Sequence, residues 1–406
     1  MKKAKFAVKA LGCKVNQYEE QVIRENLLRL GLVESQLRDA DIFILNSCTV
    51  TDTADSKTRK LIRKVKRENP EVRIFVTGCY AVFEDDITLL KAMPEVEDVI
   101  PGKDKKKLPG IIEALFTGKK SETTLSEGIF RFDAHTRAFL KVQDGCDQKC
   151  SYCKVNLVRG PSKSRDEKEV VSEAARFIAG GYRELVLTGI CLGAWNGNEK
   201  RNLSDLIKEI DKLEGDFRMR LSSIEPDFVD DDLLDTIAGS QRVCRHLHLP
   251  LQSGSDKILK LMNRNYTTDQ FRGLVGRIRE RMPFMGLTMD VIAGFPGEDE
   301  KDIRLTMDLL KEIKPSRLHV FKYSDRKGTL SHGFPGKVPS EIAKERVGDL
   351  IAEGERLQVG FCRRFLGREV EVLVEQKSSE GAPEGYTGEY LRARLNSPGK
   401  KGKITR

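Results

Sequence analysis

The sequence predicts an α/β protein in three successive parts. These are a parallel-sheet α/β domain over residues 1–120, a partial (β/α)6 barrel of the TIM type over 132–361, and a small antiparallel β-barrel over 362–406. Three observations carry this. Short apolar runs alternate with amphipathic helical stretches through most of the chain, which implies parallel sheets with right-handed crossovers. Near the end the period changes to two, as in Glu369-Val370-Glu371-Val372-Leu373-Val374-Glu375, which implies antiparallel strands. A chain of 406 residues with 39% hydrophobic residues is long enough for two or three ordinary cores.

The first part repeats one unit. A strand is predicted over 6–11, then a helix over 18–30 whose Val22, Ile23, Leu27 and Leu28 share a face and which stops at Gly31. A second strand over 41–45 leads to a basic helix over 52–67, and a third over 73–76 leads to another helical stretch. Each strand runs into a cysteine: Gly12-Cys13, Ser47-Cys48, Gly78-Cys79. Sites in parallel sheets lie outside the carboxyl ends of the strands, so these three thiols are expected to converge as a metal site. The alternative is that they pack as small hydrophobes. On the basic helix Arg59, Arg63, Lys66 and Arg67 share a face, suited to phosphates or simply solvated. Residues 109–134 read as a helix and a linker with one strand.

In the second part a strand over 138–142 delivers Asp144-Gly145-Cys146-Asp147-Gln148-Lys149-Cys150-Ser151-Tyr152-Cys153. The spacing C-x3-C-x2-C fits none of the usual zinc patterns and supplies three thiolates, as for an iron-sulfur cluster with one iron left open. Five more strands are predicted, over 185–187, 219–221, 246–249, 287–292 and 318–321, with helices between. Polar loops follow them: Thr188-Gly189, Ser222-Ser223-Ile224-Glu225-Pro226, Pro250-Leu251-Gln252 and Ala293-Gly294-Phe295-Pro296-Gly297. Gly294 and Gly297 would admit a flat ligand close to the backbone, and Glu225 or Gln252 would hold a ribose hydroxyl, which suits an adenosyl cofactor. His246 and His248 alternate on one strand and read as satisfied strand residues; His135, His319 and His332 show no partner. Cys191, Cys244 and Cys362 read as structural thiols. Trp195 either stacks on a base or caps the barrel rim.

The formal charge is +9, with 71 Lys and Arg against 62 Asp and Glu, which favours a polyanionic partner. There is no apolar run of 18 residues and no signal-peptide pattern at the start, so the expected compartment is the cytoplasm, with no membrane. Nine cysteines without disulfide-like pairing point to metal ligation or free thiols.

The stretch from Asp144 to Cys153, with Tyr152 before the last cysteine, resembles the radical S-adenosylmethionine (radical SAM) enzymes. Leu11-Gly12-Cys13-Lys14-Val15-Asn16, Asn46-Ser47-Cys48-Thr49-Val50 and Thr77-Gly78-Cys79 resemble the amino-terminal domain of the methylthiotransferase subfamily, and the end of the chain resembles its TRAM domain. The resemblance implies two 4Fe-4S clusters, one on Cys146, Cys150 and Cys153 that binds SAM at its open iron, and an auxiliary one on Cys13, Cys48 and Cys79 that takes part in sulfur delivery. It places SAM contacts at Tyr152, Gly189, Ser223, Glu225, Gln252 and Gly294, with Arg165 in the segment Arg159 to Arg165 that resembles a family motif. Strand two departs from the superfamily's Gly-Gly-Glu pattern.

Within the subfamily, Arg220-Leu221-Ser222-Ser223-Ile224-Glu225-Pro226 looks most like the branch that methylthiolates C2 of N6-threonylcarbamoyladenosine beside the tRNA anticodon. That implies tRNA, through its anticodon loop, and an electron donor such as flavodoxin or ferredoxin as partners. The other readings are a sister branch acting on isopentenyladenosine or on a ribosomal-protein aspartate, and a non-catalytic iron-sulfur RNA-binding protein.

Overall fold

The computed structural model describes residues 4–119, 121–126, 128–132, 135–197, 201–377, 381–396 and 399–405. The chain forms two compact units, one of residues 1–132 with 154–160, the other of residues 133–153 with 161–406.

In the first unit five parallel strands lie in the order β2-β1-β3-β4-β5. They are β1 (Lys5–Ala10), β2 (Val33–Glu34), β3 (Ile42–Ser47), β4 (Arg73–Gly78) and β5 (Val96–Val99). The central strands are apolar on both faces because helices cover both. Phe6, Val8, Ile42, Ile44 and Phe75 pack with Ile23 and Leu27 of α1 (Lys14–Arg29). On the other face Phe43, Leu45, Ile74 and Val76 pack with Ile62 and Val65 of α2 (Asp52–Glu68) and with Ile87 and Leu90 of α3 (Glu84–Lys91). Helix α4 (Leu108–Thr117) closes on Gly118 at φ 66°, the left-handed cap a glycine adopts freely. The strand expected in the linker is absent among the described residues between 118 and 137; Ala134 lies outside them. The short α5 (Val155–Arg159) also belongs to this unit.

The second unit holds six parallel strands in chain order. They are β6 (Ala138–Lys141), β9 (Glu184–Thr188), β10 (Arg218–Leu221), β11 (His246–His248), β12 (Gly286–Ala293) and β13 (Arg317–Lys322), where β7 (Gln143–Asp144) and β8 (Lys163–Ser164) form a separate hairpin. The first three and the last three form ladders, joined by bridges between Met219 and Val243 and between Ser223 and His248. No ladder returns from β13 to β6 among the described residues, so the barrel is open as expected. Helices α6 (Glu167–Ala179), α7 (Leu203–Asp211), α8 (Asp231–Gly239), α9 (Asp256–Leu261), α10 (Thr268–Arg281) and α11 (Glu300–Ile313) lie between the strands, and α12 (Ser340–Arg363) follows.

The end of the chain is an antiparallel four-stranded sheet, in the order β16-β15-β14-β17. Its strands are β14 (Val372–Lys377), β15 (Pro383–Thr387), β16 (Arg392–Arg394) and a two-residue β17 (Ile404–Thr405); residues 388–391 turn instead of extending the strand. This sheet is fixed to the barrel through buried charge. Glu184 accepts from Arg218 at 2.6 Å and from Arg220 at 2.7 Å. The same guanidiniums donate to the carbonyls of Tyr386 (2.8 Å), Thr387 (2.9 Å) and Gly388 (3.0 Å). Arg137 joins Glu184 to Glu375 of β14. Gly286 is required here, since a Cβ would meet the Glu389 carbonyl at 2.1 Å. No helix among the described residues is long and apolar enough to cross a membrane.

Candidate functional site

The cysteine loop of the second unit is held from several sides. It begins at Gln143, a fully buried side chain whose Nε2 donates to the carbonyls of Asp144 (2.9 Å) and Gly145 (2.7 Å) and to Ser162 (2.9 Å). Its Oε1 accepts from the Cys191 amide at 2.8 Å. Gly189 makes room for it, since a Cβ there would lie 2.9 Å from that oxygen. Gly145, at φ 73°, turns the chain into the loop. Ser151 donates from its amide to Met262 (3.0 Å) and from its hydroxyl to Leu261 (2.7 Å), and Asn263 donates to the Lys149 carbonyl at 2.7 Å. Tyr152 is edge-on to Phe295, with centroids 6.4 Å apart, which ties the cysteines to the Gly294 loop.

One cation faces the thiols. Arg264, with 3% of its side chain exposed, donates from Nη1 to Cys150 Sγ at 3.2 Å and pairs through Nη2 with Glu225. Burial pushes the Cys150 thiol up, and Arg264 opposes this. Cys146 moves the other way, because the Cys191 thiol donates to it and favours its thiolate; Cys191 rises correspondingly.

The remaining expected cofactor contacts occupy defined positions. Glu225 is engaged by Arg264. Ser223 bridges to His248 at the seam of the two ladders. Gln252, buried, adopts φ 65°, a left-handed conformation costly for a side-chain-bearing residue, and its amide donates to the Asp290 carbonyl at 2.8 Å. Gly294 stands at φ 79°, and the space a Cβ would need is taken by Ala343 of α12 at 2.6 Å, so helix packing alone requires glycine there. Arg165 pairs with Glu173 at 2.7 Å and donates to the Lys141 carbonyl at 2.7 Å. Trp195 is buried and donates to the Arg165 carbonyl at 3.2 Å, which removes it as an exposed stacking platform. His319 and His332, which showed no partner in the sequence, pair with Asp290 and Asp325.

In the first unit Cys13, Cys48 and Cys79 follow three adjacent parallel strands. Cys13 caps the start of α1 and is exposed, while Cys48 and Cys79 are buried. Gly12, at φ 103°, packs directly on Cys48; a Cβ would lie 2.7 Å from Cys48 Cβ and 2.8 Å from its Sγ. Asn16 ties the strand ends together, donating to the carbonyls of Leu11 (2.7 Å) and Ser47 (3.0 Å). Its Oδ1 accepts from Arg159. Glu19 gathers Arg159 (3.1 Å) and Lys105 (2.7 Å) beside the thiols. Burial pushes Cys48 up to about 11 and also raises Cys79, and Arg159 works against both. On α2, Arg59 is bound to Tyr80 and Lys66 to the Val72 carbonyl, which leaves Lys57, Lys60, Arg63, Lys64 and Arg67 as the exposed basic stripe.

The donor sets suit iron-sulfur ligation. All-thiolate sites select zinc, copper(I) or iron-sulfur clusters, and a mononuclear tetrahedral ion would draw its sulfurs to about 3.8 Å from one another. Among the described residues one trio of ligating side chains closes to within 4.8 Å, and it is neither cysteine triad but His248, Asp290 and His319. Both triads are thus spaced more widely than one ion requires.

Comparison with known proteins gives concordant matches. Residues 140–310 match the Radical SAM superfamily and residues 5–101 match the Uncharacterized protein family UPF0004. The chain is 35% identical to the threonylcarbamoyladenosine tRNA methylthiotransferase MtaB of Bacillus subtilis, covering 96% of this chain and 90% of that one. The Thermotoga maritima protein of the same name is also 35% identical, with 95% and 90% covered. A tRNA-2-methylthio-N(6)-dimethylallyladenosine synthase from Carboxydothermus hydrogenoformans is 34% identical, with 90% and 87% covered. Among solved structures, the radical S-adenosylmethionine methyltransferase TsrM of Kitasatospora setae shares the fold at TM-score 0.59 and 13% identity, covering 79% of this chain and 75% of that one.

Proposed function

The chain belongs to the radical SAM methylthiotransferases of tRNA, and from that membership we propose that it methylthiolates C2 of N6-threonylcarbamoyladenosine beside the anticodon. The observation that carries this is near full-length similarity to proteins of that name in a chain that has three cysteines after strand ends in each unit. In this reading the first 120 residues serve sulfur delivery, residues 132–361 the radical chemistry, and residues 362–406 the grip on RNA.

Cys146, Cys150 and Cys153 would hold the 4Fe-4S cluster that binds SAM, and Cys13, Cys48 and Cys79 a second one. When bound, these groups supply the one-electron chemistry, sulfur and methyl group that an unactivated aromatic carbon needs. The chain's own residues prepare the sites. Gln143 fixes the entry to the loop, and Tyr152 locks it against the loop of Phe295. Arg264 keeps positive charge beside Cys150, favouring its deprotonated form. Gly189, Ser223, Glu225, Gln252 and Gly294 would line the SAM position, while Arg165, committed to Glu173, would fix the loop's flank. Lys57, Lys60, Arg63, Lys64 and Arg67 offer a stripe for tRNA phosphates. A flavodoxin or ferredoxin would supply electrons, and the work would be done in the cytoplasm.

A sister activity on dimethylallyladenosine is the second reading, favoured by the 34% identity to proteins of that name. Nucleoside mass spectrometry of tRNA from cells with and without this protein separates the two. Selective loss of the methylthio form of threonylcarbamoyladenosine is the expected result, loss of the dimethylallyl analogue would establish the second reading, and an unchanged profile would refute both.

A further inference from the structure

The outer edge of the cysteine loop in the second unit is built from three chain segments that are distant in sequence. Ser151 donates from its amide to the Met262 carbonyl (3.0 Å) and from its hydroxyl to the Leu261 carbonyl (2.7 Å), and its own carbonyl accepts from the Ser331 amide at 2.8 Å. Asn263 donates to the Lys149 carbonyl at 2.7 Å, and Asn265 to Gln148 Oε1 at 2.9 Å. Asn263 stands at φ 57°, a left-handed turn just after α9 that asparagine tolerates. Two leucines come to the surface where these segments join. Leu261, bonded to Ser151, is 37% exposed, and Leu330, next to Ser331, is 68% exposed. Lys149 in the loop, Lys260 before Leu261 and Lys327 shortly before Leu330 are exposed as well. Among the acids of these segments, Asp325 is balanced by Lys337, and Asp147 and Asp256 accept from the amides of Ser162 (3.1 Å) and Thr268 (2.7 Å). The leucines thus stand within a basic rim.

A single exposed leucine calls for no explanation. Two that adjoin the same serine do, because that serine lies between Cys150 and Cys153, whose thiols are themselves only half-buried. In the reading proposed above, this loop receives one electron for each SAM cleaved, and a carrier has to stand against the loop to deliver it. Complexes that pass electrons are small, under about 1,200 Å² in total, and short-lived. Their centre is apolar, and charge on the rim sets the rate and orientation of encounter. Two leucines in a lysine rim have that composition, and the sign of the rim selects an acidic carrier. Phosphates are held by basic and polar groups without an apolar centre, so this patch differs in kind from the stripe on α2.

We propose that Leu261 and Leu330, with Lys149, Lys260 and Lys327 around them, form the docking surface for an acidic one-electron flavin carrier. The proposal rests on the radical SAM reading. One electron leaves the reduced flavin, which is left one electron more oxidised, and passes through the loop to the site of Cys146, Cys150 and Cys153, where SAM cleavage consumes it. No bond or proton moves at the surface itself. The lysines steer the encounter, so association weakens as salt screens them.

The test uses the full chain with its clusters reconstituted anaerobically, and flavodoxin as the probe. Binding to immobilised oxidised flavodoxin is measured by interferometry, and SAM cleavage is measured in parallel with reduced flavodoxin and with dithionite, a small reductant that needs no docking. The wild type should bind flavodoxin, less tightly as salt is raised. Leu330→Asp and Lys260→Glu, both at exposed positions, should each weaken binding and flavodoxin-supported cleavage roughly tenfold. Dithionite-supported cleavage, iron content and tRNA affinity should stay at wild-type values. Absence of flavodoxin binding by the wild type, unchanged binding in both variants, or an equal loss of dithionite-supported cleavage would overturn the docking surface and leave the radical SAM reading standing. Loss of tRNA affinity in place of flavodoxin binding would assign the patch to RNA and overturn it too. No cleavage by the wild type with either reductant would refute the radical SAM reading, and the role of this surface with it.

Discussion

Replacing Glu184 by glutamine should destabilise the second unit by about 3 kcal/mol at neutral pH while leaving the first unit untouched. Burial would raise this carboxyl, but Arg220 and Arg218 outweigh it and bring it from an ordinary 4.5 down to about 2. At about 1.4 kcal/mol per tenfold change in proton affinity, the interval corresponds to about 3 kcal/mol. The glutamate is fully buried, so solvent screening does not reduce the figure. A depressed carboxyl stabilises above its unfolded value and loses that contribution as pH falls. The difference between wild type and Glu184→Gln should therefore be full above about pH 5 and shrink between 4.5 and 2. Breaking a buried ion pair from one side costs about 3–5 kcal/mol by independent experience, which agrees. The assay is urea unfolding followed by tryptophan emission, because Trp195 is the only tryptophan and is buried in this unit. A loss under about 1 kcal/mol would show that Arg218 and Arg220 are held by the carbonyls of residues 386–388 without their counterion, and would refute the argument.

Three further outcomes follow from the two cysteine sites. Arg264→Ala removes the donor to Cys150 and strands Glu225, so SAM cleavage should fall roughly ten- to hundredfold; the reconstituted protein assayed with dithionite checks this. Gly12→Ala places a methyl group against Cys48 at a backbone angle that costs about 1–3 kcal/mol, so iron should be lost from one triad only, with a lower melting temperature, as iron analysis and calorimetry would show. Arg159→Ala removes a cation that lowers Cys79, so its thiol should rise further and, in metal-free protein, be alkylated more slowly at every pH below its midpoint, measured by mass spectrometry of Cys79.

The parts of the fold that were legible in the sequence are those written in local periodicity. Phe6 to Leu11, Ile42 to Leu45 and Ile74 to Val76 announce themselves as strands because both sheet faces are covered, and each cysteine follows at once. The contiguous loop from Cys146 to Cys153 was equally plain. Gln143 and Arg264 were not, since a glutamine at a strand end and an arginine after a helix carry no periodic signal; the fold alone brings residue 264 to residue 150. Glu184, Arg218 and Arg220 were hidden for the converse reason, being charges inside strands that compensate one another 34 and 36 residues apart and reach carbonyls 167 and 168 residues further on. The shared face of His246 and His248 was visible in the alternation, but their meeting with Thr288, and that of His248 and His319 with Asp290, needed the register of three strands.

The two cysteine triads differ in how far they depend on the chain being folded. Cys146, Cys150 and Cys153 are neighbours in any conformation, so a nascent or loosened chain already offers them to iron at high local concentration. Cys13, Cys48 and Cys79 come together only when β1, β3 and β4 have paired in register, and a slip of one residue in any of them would turn its neighbours to the opposite face. In the reading proposed here, maturation would run in a fixed sequence, with the contiguous loop loading early and the strand-end set loading only on a finished sheet. Mild denaturant together with a chelator should accordingly strip the first unit at the concentration that melts its sheet, which makes cluster retention there a gauge of folding.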